Sequence, residues 1–411
     1  MRGLGADFRS GDWVTAERVR GYSLIVLVLG MAMVAGLAVT ASGIVDYQGR
    51  PLGTDFSNIY AAGKWVLAGR PEAPFDPALQ HEMEKRLFGV ETPFYGWHYP
   101  PMFLGVAALL AFLPYLPALA VWQAATFAAY LTTIGGIVRS SPKLASEKRG
   151  FVWLLPAIAF PAVFINLTHG HNGFLTAALF GGGLLLLDRR PVIAGILIGL
   201  LCYKPQFGLL VPLVLIASAR WRAFSAAAIA VIVAAALSWF AFGADTWLAF
   251  RDSLEFTRSI VLETGGTGFY KIQSPFAAVR MWGAPVEVAY AVQAAAVATV
   301  AVLLIILWRS EVAFALKAAA LLTGSLLATP YVLDYDLMLM APAIAFLAAH
   351  GLERGFLPYE KSLLAFGWAA PLLARVVAEY AAVPVGLIAL LALFGIALRR
   401  SAADRAALPP L

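Results

Sequence analysis

The sequence predicts an all-α polytopic membrane protein. It reads as one integral-membrane domain over 1–411, a bundle of about twelve transmembrane helices with short juxtamembrane helices on the outer face. Three observations predict it. Hydrophobic residues make up 61% of the 411 residues and charged ones only 13%, against roughly 25% charged in soluble proteins. The mean hydropathy is +0.78. Apolar stretches recur along the whole chain, and basic residues gather in alternate turns between them, the pattern that sets orientation in a bilayer.

Arg2, Arg9, Arg18 and Arg20 precede the first span, 22–43. That span is long for a signal-peptide core and shows no clear small-residue cleavage site. The stretch 101–113 is apolar but short, between Pro100-Pro101 and Pro114, and reads as a partial or juxtamembrane helix. Further spans follow at 117–138, 151–167, 173–187, 191–203, 206–219, 223–242, 286–308, 312–328, 336–349, 362–376 and 384–398. Several fall short of the roughly 20 residues a simple crossing needs, which points to tilted or buried helices. With both termini cytoplasmic, Asp188-Arg189-Arg190, Arg220-Trp221-Arg222 and Arg399-Arg400 face inward, as does the turn holding Arg139, Lys143, Lys148 and Arg149. A full crossing at 101–113 would put that last turn outside. The net charge of +6 is therefore a positive-inside signature and not a nucleic-acid footprint. The single cysteine, Cys202, allows no disulfide within one chain.

Polar residues then collect on the outer side, in the segments 44–100 and 243–285 and in three tight turns. His81, His98, His169 and His171 all fall there. Two amphipathic helices are expected in the first segment, at 56–68 and at 76–88, the second with Asp76 as cap and Pro77 in its first turn. Such helices can lie in the interface as a lid. Asp55 is either the N-cap of the first helix or an ionised base, and the two roles are compatible. Lys204, before Pro205, is either a snorkelling anchor or a ligand for an anionic group. His169 and His171, two apart in a turn, read as sugar hydrogen-bonders or as plain structure, with a metal pair the weaker reading for want of a third ligand. Asn172 can cap the next helix. Asp334 and Asp336 stand at a span's start, where a carboxylate needs a partner or water. They are caps or site acids, and Lys271, Arg280 and Gln273 are their nearest candidate partners.

Several of these residues follow one order: Gly53-Thr54-Asp55-Phe56, Tyr99-Pro100-Pro101, Gly170-His171-Asn172, then Ala194-Gly195-Ile196-Leu197-Ile198-Gly199. Tyr203-Lys204-Pro205, Arg220-Trp221-Arg222 and Thr329-Pro330-Tyr331 with Tyr335-Asp336 complete it. The order resembles the family 87 glycosyltransferases of the GT-C class, integral-membrane enzymes that include polyprenyl-phosphate-mannose-dependent α-mannosyltransferases. The resemblance runs from about 20 to 350. It implies an inverting transfer of a hexose, mannose in the best-known members, from a polyprenyl-phosphate sugar to a lipid-linked or envelope glycan. The site would face the outside of the plasma (inner) membrane. It implies Asp55 as general base, with Lys204, Lys271 and Arg280 on the donor phosphate. His98, Tyr99, His171, Asn172, Gln206, Asp334 and Asp336 would surround sugar and acceptor. No cofactor or metal is implied, and no Gly-rich phosphate loop stands in the chain. Two other readings stay open: a secondary transporter, for which no internal repeat is evident, and a non-catalytic polyprenyl-lipid binding or flipping protein, which would need cations but no base.

Overall fold

The computed structural model describes residues 4–141 and 153–406. Lys143, Lys148 and Arg149 of the expected basic turn lie outside the described residues, as do Arg2 and the start of the expected span at 151–167. Among the described residues the chain is helical throughout, with only isolated bridges such as Ile272 to Leu333.

Seven helices have the length and composition to cross a membrane: Ala16–Val39, Tyr115–Arg139, Trp221–Glu263, Val286–Arg309, Asp334–Arg354, Glu360–Ala381 and Val385–Ala406. Thr15 caps the first, its hydroxyl accepting the Arg18 N–H at 3.2 Å. Most of that helix bears exposed Leu, Ile, Val and Met side chains, a surface suited to lipid. Ser23 and Gly30 are the buried exceptions, and any Cβ on Gly30 would strike the Phe164 ring.

Of the shorter apolar helices, Gly173–Leu186 and Phe314–Leu327 fill the interior, while Pro191–Tyr203 and Pro205–Ala217 each keep an exposed face. Phe314–Leu327 is buried along most of its length, as expected for a short helix enclosed by protein. Pro101–Ala111 is short too. At 1.5 Å per residue it reaches about 16 Å, near half of a ~30 Å hydrocarbon layer, in line with a partial helix. The expected span at 151–167 is not continuous. It breaks at Phe160-Pro161 into Leu155–Ile158 and Pro161–His169, because proline cannot donate to the helix ladder.

The Ala194–Gly199 motif is a packing seam. A Cβ on Gly195 would strike the Ala223 carbonyl, and one on Gly199 would lie 2.6 Å from the Ala227 carbonyl. Two backbones thus approach as small-residue seams allow.

The 44–100 segment departs from expectation. Its helices Thr54–Leu67 and Pro77–Phe88 form, and Asp76 Oδ1 accepts the Ala78 and Leu79 N–H groups at 2.8 and 3.2 Å. The first is not an interfacial lid, however. Phe56, Ile59, Tyr60 and Trp65 are buried, and Gly63 packs directly on the Ala107 carbonyl. The apolar periodicity is satisfied by protein, not lipid. At the other expected loop, the Trp221–Phe256 helix runs through 242 and turns at Gly243, φ 80° and ψ 171°, a backbone state nearly restricted to glycine.

Candidate active site

Two glycine turns hold Asp55 in place. Gly53, at φ 71°, takes the N-cap position of Thr54–Leu67, and Gly170, at φ 62°, ends Pro161–His169. The turns touch: a Cβ on Gly170 would lie 2.6 Å from Phe56 Cβ and 3.3 Å from Gly53 Cα. The Thr54 hydroxyl and His169 Nδ1 share a hydrogen bond of 2.7 Å. Phe56 is wholly buried, and the Tyr115 hydroxyl donates to the Leu52 carbonyl at 2.6 Å. The residues flanking Asp55 are thereby tied down on both sides.

Asp55 is not the cap. It sits inside the first turn, and its carboxylate has no hydrogen-bond or ion-pair partner among the described residues. Burial pushes its carboxyl up, His169 pulls it down, Asp334 pushes it up, and Lys204 and Lys271 pull it down. All four therefore act on this carboxylate.

Two of these groups, Lys204 and Asp334, have partners of their own. Lys204 Nζ lies 2.7 Å from Asp336 Oδ1 and 5.4 Å from the Tyr335 ring centre. Its side chain is 6% exposed, so it is not a snorkelling anchor. Asp336 Oδ2 accepts the Leu333 N–H at 3.0 Å, so this acid is both cap and ion-pair partner. Asp334 Oδ1 accepts the Tyr335 N–H at 3.0 Å, and its Oδ2 stands 3.8 Å from Arg375. The partners of these two acids are therefore Lys204 and Arg375, not the Lys271, Arg280 and Gln273 expected from sequence. Arg280 donates instead to the Ala284 and Glu263 carbonyls at 2.7 and 3.0 Å. Gln273 joins the Tyr270 carbonyl and the Gly386 N–H. Lys271 has no ion pair or hydrogen bond from its ammonium among the described residues, only its neighbour ring Tyr270 at 5.6 Å.

The histidines separate. His171 Nε2 meets the Tyr99 hydroxyl at 3.2 Å, and its ring stacks on Tyr335 with centroids 3.5 Å apart. His169 bonds Thr54 instead, so the two imidazoles do not act as a pair. Asn172 is fully buried and its side chain makes no cap. The capping task falls to Asn166, whose Oδ1 accepts the Gly173 N–H at 2.9 Å while its Nδ2 donates to the Ala162 and Tyr335 carbonyls. His98 bonds the Thr257 hydroxyl at 3.0 Å, and burial lowers its pKa to about 4, leaving it neutral. Gln206 lies half-exposed, with no hydrogen bond to these groups. Phe103 stacks on Tyr203 and meets Tyr99 at a tilt, with centroids 4.9 Å apart in each pair.

Arg375, Glu84 and Asn166 escaped the sequence reading. Glu84 is buried, accepts the Tyr95 N–H, and burial raises its pKa to about 8. Arg375 did carry a signal, an ionisable residue inside an apolar span.

A multi-pass helical protein with an unpartnered carboxylate beside an unpaired ammonium can take a proton from a hydroxyl and hold an anionic group. Such features suit a membrane-embedded group-transfer enzyme. The sequence pattern of glycosyltransferase family 87 matches residues 97–330. That is more than half of the chain, and the chain belongs to this family: it is a membrane glycosyltransferase. Comparisons with curated proteins and with solved structures give no match. The matched stretch holds Tyr99, His171, Lys204 and Lys271, while Asp55, Asp334, Asp336 and Arg375 lie outside it.

Proposed function

We propose that this glycosyltransferase moves a hexose, mannose foremost, from a polyprenyl-phosphate sugar to a hydroxyl of a lipid-linked or envelope glycan, on the outer face of the plasma membrane with both termini cytoplasmic. The observation that carries this reading is the Asp55 carboxylate, held rigidly and left without a partner among cations. Asp55 accepts the proton of the acceptor hydroxyl. The acceptor oxygen bonds to the anomeric carbon as the bond from that carbon to the donor phosphate oxygen breaks. The electron pair leaves with the phosphate, which becomes a phosphomonoester. One displacement inverts the configuration, and no enzyme nucleophile is required. Lys271 supports the charge growing on the leaving phosphate. Lys204, already paired with Asp336, braces the Tyr335 side of the site.

Purified protein incubated with radiolabelled polyprenyl-phosphate mannose, glucose or arabinose and a crude envelope extract tests the reading. Label is expected to pass to a glycan from one donor, mannose first. Asp55→Asn should cut that transfer by about 10²–10⁴-fold, the usual loss for a general base, with donor binding kept. Near-normal turnover by Asp55→Asn would remove Asp55 from the mechanism.

A further inference from the structure

Two cations approach one aromatic ring. Lys271 Nζ stands 5.6 Å and Arg375 Cζ 5.9 Å from the Tyr270 ring centre. They come from separate parts of the chain. Lys271 ends the short turn Phe269–Lys271, and Arg375 belongs to the Glu360–Ala381 helix. The turn is fixed to the 329–336 connection by the Ile272–Leu333 bridge, by the Gln273 N–H donating to the Val332 carbonyl at 2.7 Å, and by the Ser274 hydroxyl donating to the Pro330 carbonyl at 2.6 Å. Lys271 is therefore mounted on a rigid frame beside the connection that carries Asp334, the carboxylate Arg375 reaches.

Their hydrogen-bonding capacity is not used up. Arg375 reaches one carboxylate among the described residues, Asp334, at 3.8 Å, and keeps 38% of its side chain exposed. A saturated charge-assisted bond is about 2.7–2.9 Å long. Lys271 has no carboxylate within ion-pair distance among the described residues. The other two cations nearby are engaged: Lys204 by Asp336, and Arg280 by two carbonyls. An arginine within an apolar helix is costly unless it faces water or a charged partner. A guanidinium fork matches two phosphate oxygens, and an ammonium adds a point charge from another direction.

We infer that Lys271 and Arg375 together clamp the phosphate of the lipid-linked donor above Tyr270, and hold the polyprenyl phosphate left after transfer. The inference rests on the polyprenyl-phosphate reading given above. Asp334 occupies Arg375 loosely and yields to the stronger anion.

The test uses the full chain and binding without turnover, with polyprenyl phosphate and the uncharged polyprenol as probes. Wild-type protein should bind polyprenyl phosphate, and more weakly as salt rises. Arg375→Ala and Lys271→Ala should each weaken that binding by about 10- to 100-fold and leave polyprenol binding unchanged. Arg375→Lys, which keeps a charge and preserves the fold, should fall between. If Arg375 only neutralises Asp334, the double variant Arg375→Ala with Asp334→Asn recovers wild-type binding, and the clamp is overturned. Equal binding by wild type and Arg375→Ala overturns it too, while leaving the donor reading intact. Wild-type protein that binds no polyprenyl phosphate and transfers from no polyprenyl-phosphate sugar overturns both.

Discussion

A base must lose its proton before it can take another, so if Asp55 is the base proposed above, its surroundings set the acid limb of the reaction. Burial pushes its carboxyl above the ordinary value of about 4, against the pull of His169, Lys204 and Lys271. A raised pKa keeps the group protonated to higher pH. Transfer should therefore fail as pH drops through a midpoint above that of an exposed aspartate, and reach its plateau on the alkaline side. Glu84, with a pKa near 8, stays neutral at pH 7 and adds no repelling charge there. The pH dependence of kcat/KM for the purified enzyme checks this, and an acid limb at or below pH 4 would point to another group. Asp55 stands out in the sequence because an acid after Gly53-Thr54 is isolated beside a membrane span. Glu84 does not, since beside Glu82, Lys85 and Arg86 it reads as part of a solvated face. Only the packing of the 77–88 helix against the rest decides that it points inward.

Elements were read best where the chemistry is local. The Asp76-Pro77 start of a helix follows from capping alone. What covers an apolar face is not local: the same periodicity serves lipid or protein, and Thr54–Leu67 turned out enclosed. The Ala194–Gly199 motif shows the reverse case, a pattern noticed in sequence whose purpose appears only in contact. Gly199 faces the Ala227 carbonyl and Ala230 Cβ, at 2.6 and 2.7 Å from any added Cβ. A backbone carbonyl cannot rotate away as a side chain can. Gly199→Leu should cost about 1–3 kcal/mol through overpacking, seen as a lower unfolding temperature in detergent. Gly208→Ala is the control, because nothing lies within 4 Å of its Cβ, and an equal loss in both variants would dismiss the seam.

At the scale of the molecule, charge distribution and site location make one joint claim. The lipid-linked donor and envelope acceptor proposed above would meet Asp55 only if the 44–100 segment lies outside, and the basic turns put it there if they lie inside. The 243–285 segment must share that side, since its Lys271 acts on Asp55. The structure supplies positions to test this. Val90 is 78% exposed, Asp252 is 67% exposed in its side chain, and Arg189 is exposed in a basic turn. Cys202 is the chain's one cysteine and only partly accessible, so Cys202→Ser gives a blank background. In intact cells a membrane-impermeant maleimide should label Val90→Cys and Asp252→Cys, and reach Arg189→Cys only after permeabilisation. The opposite pattern would turn the molecule over and place Asp55 in the cytoplasm. Labelling of Val90→Cys and Asp252→Cys from different sides would break the link between the two segments that build the site.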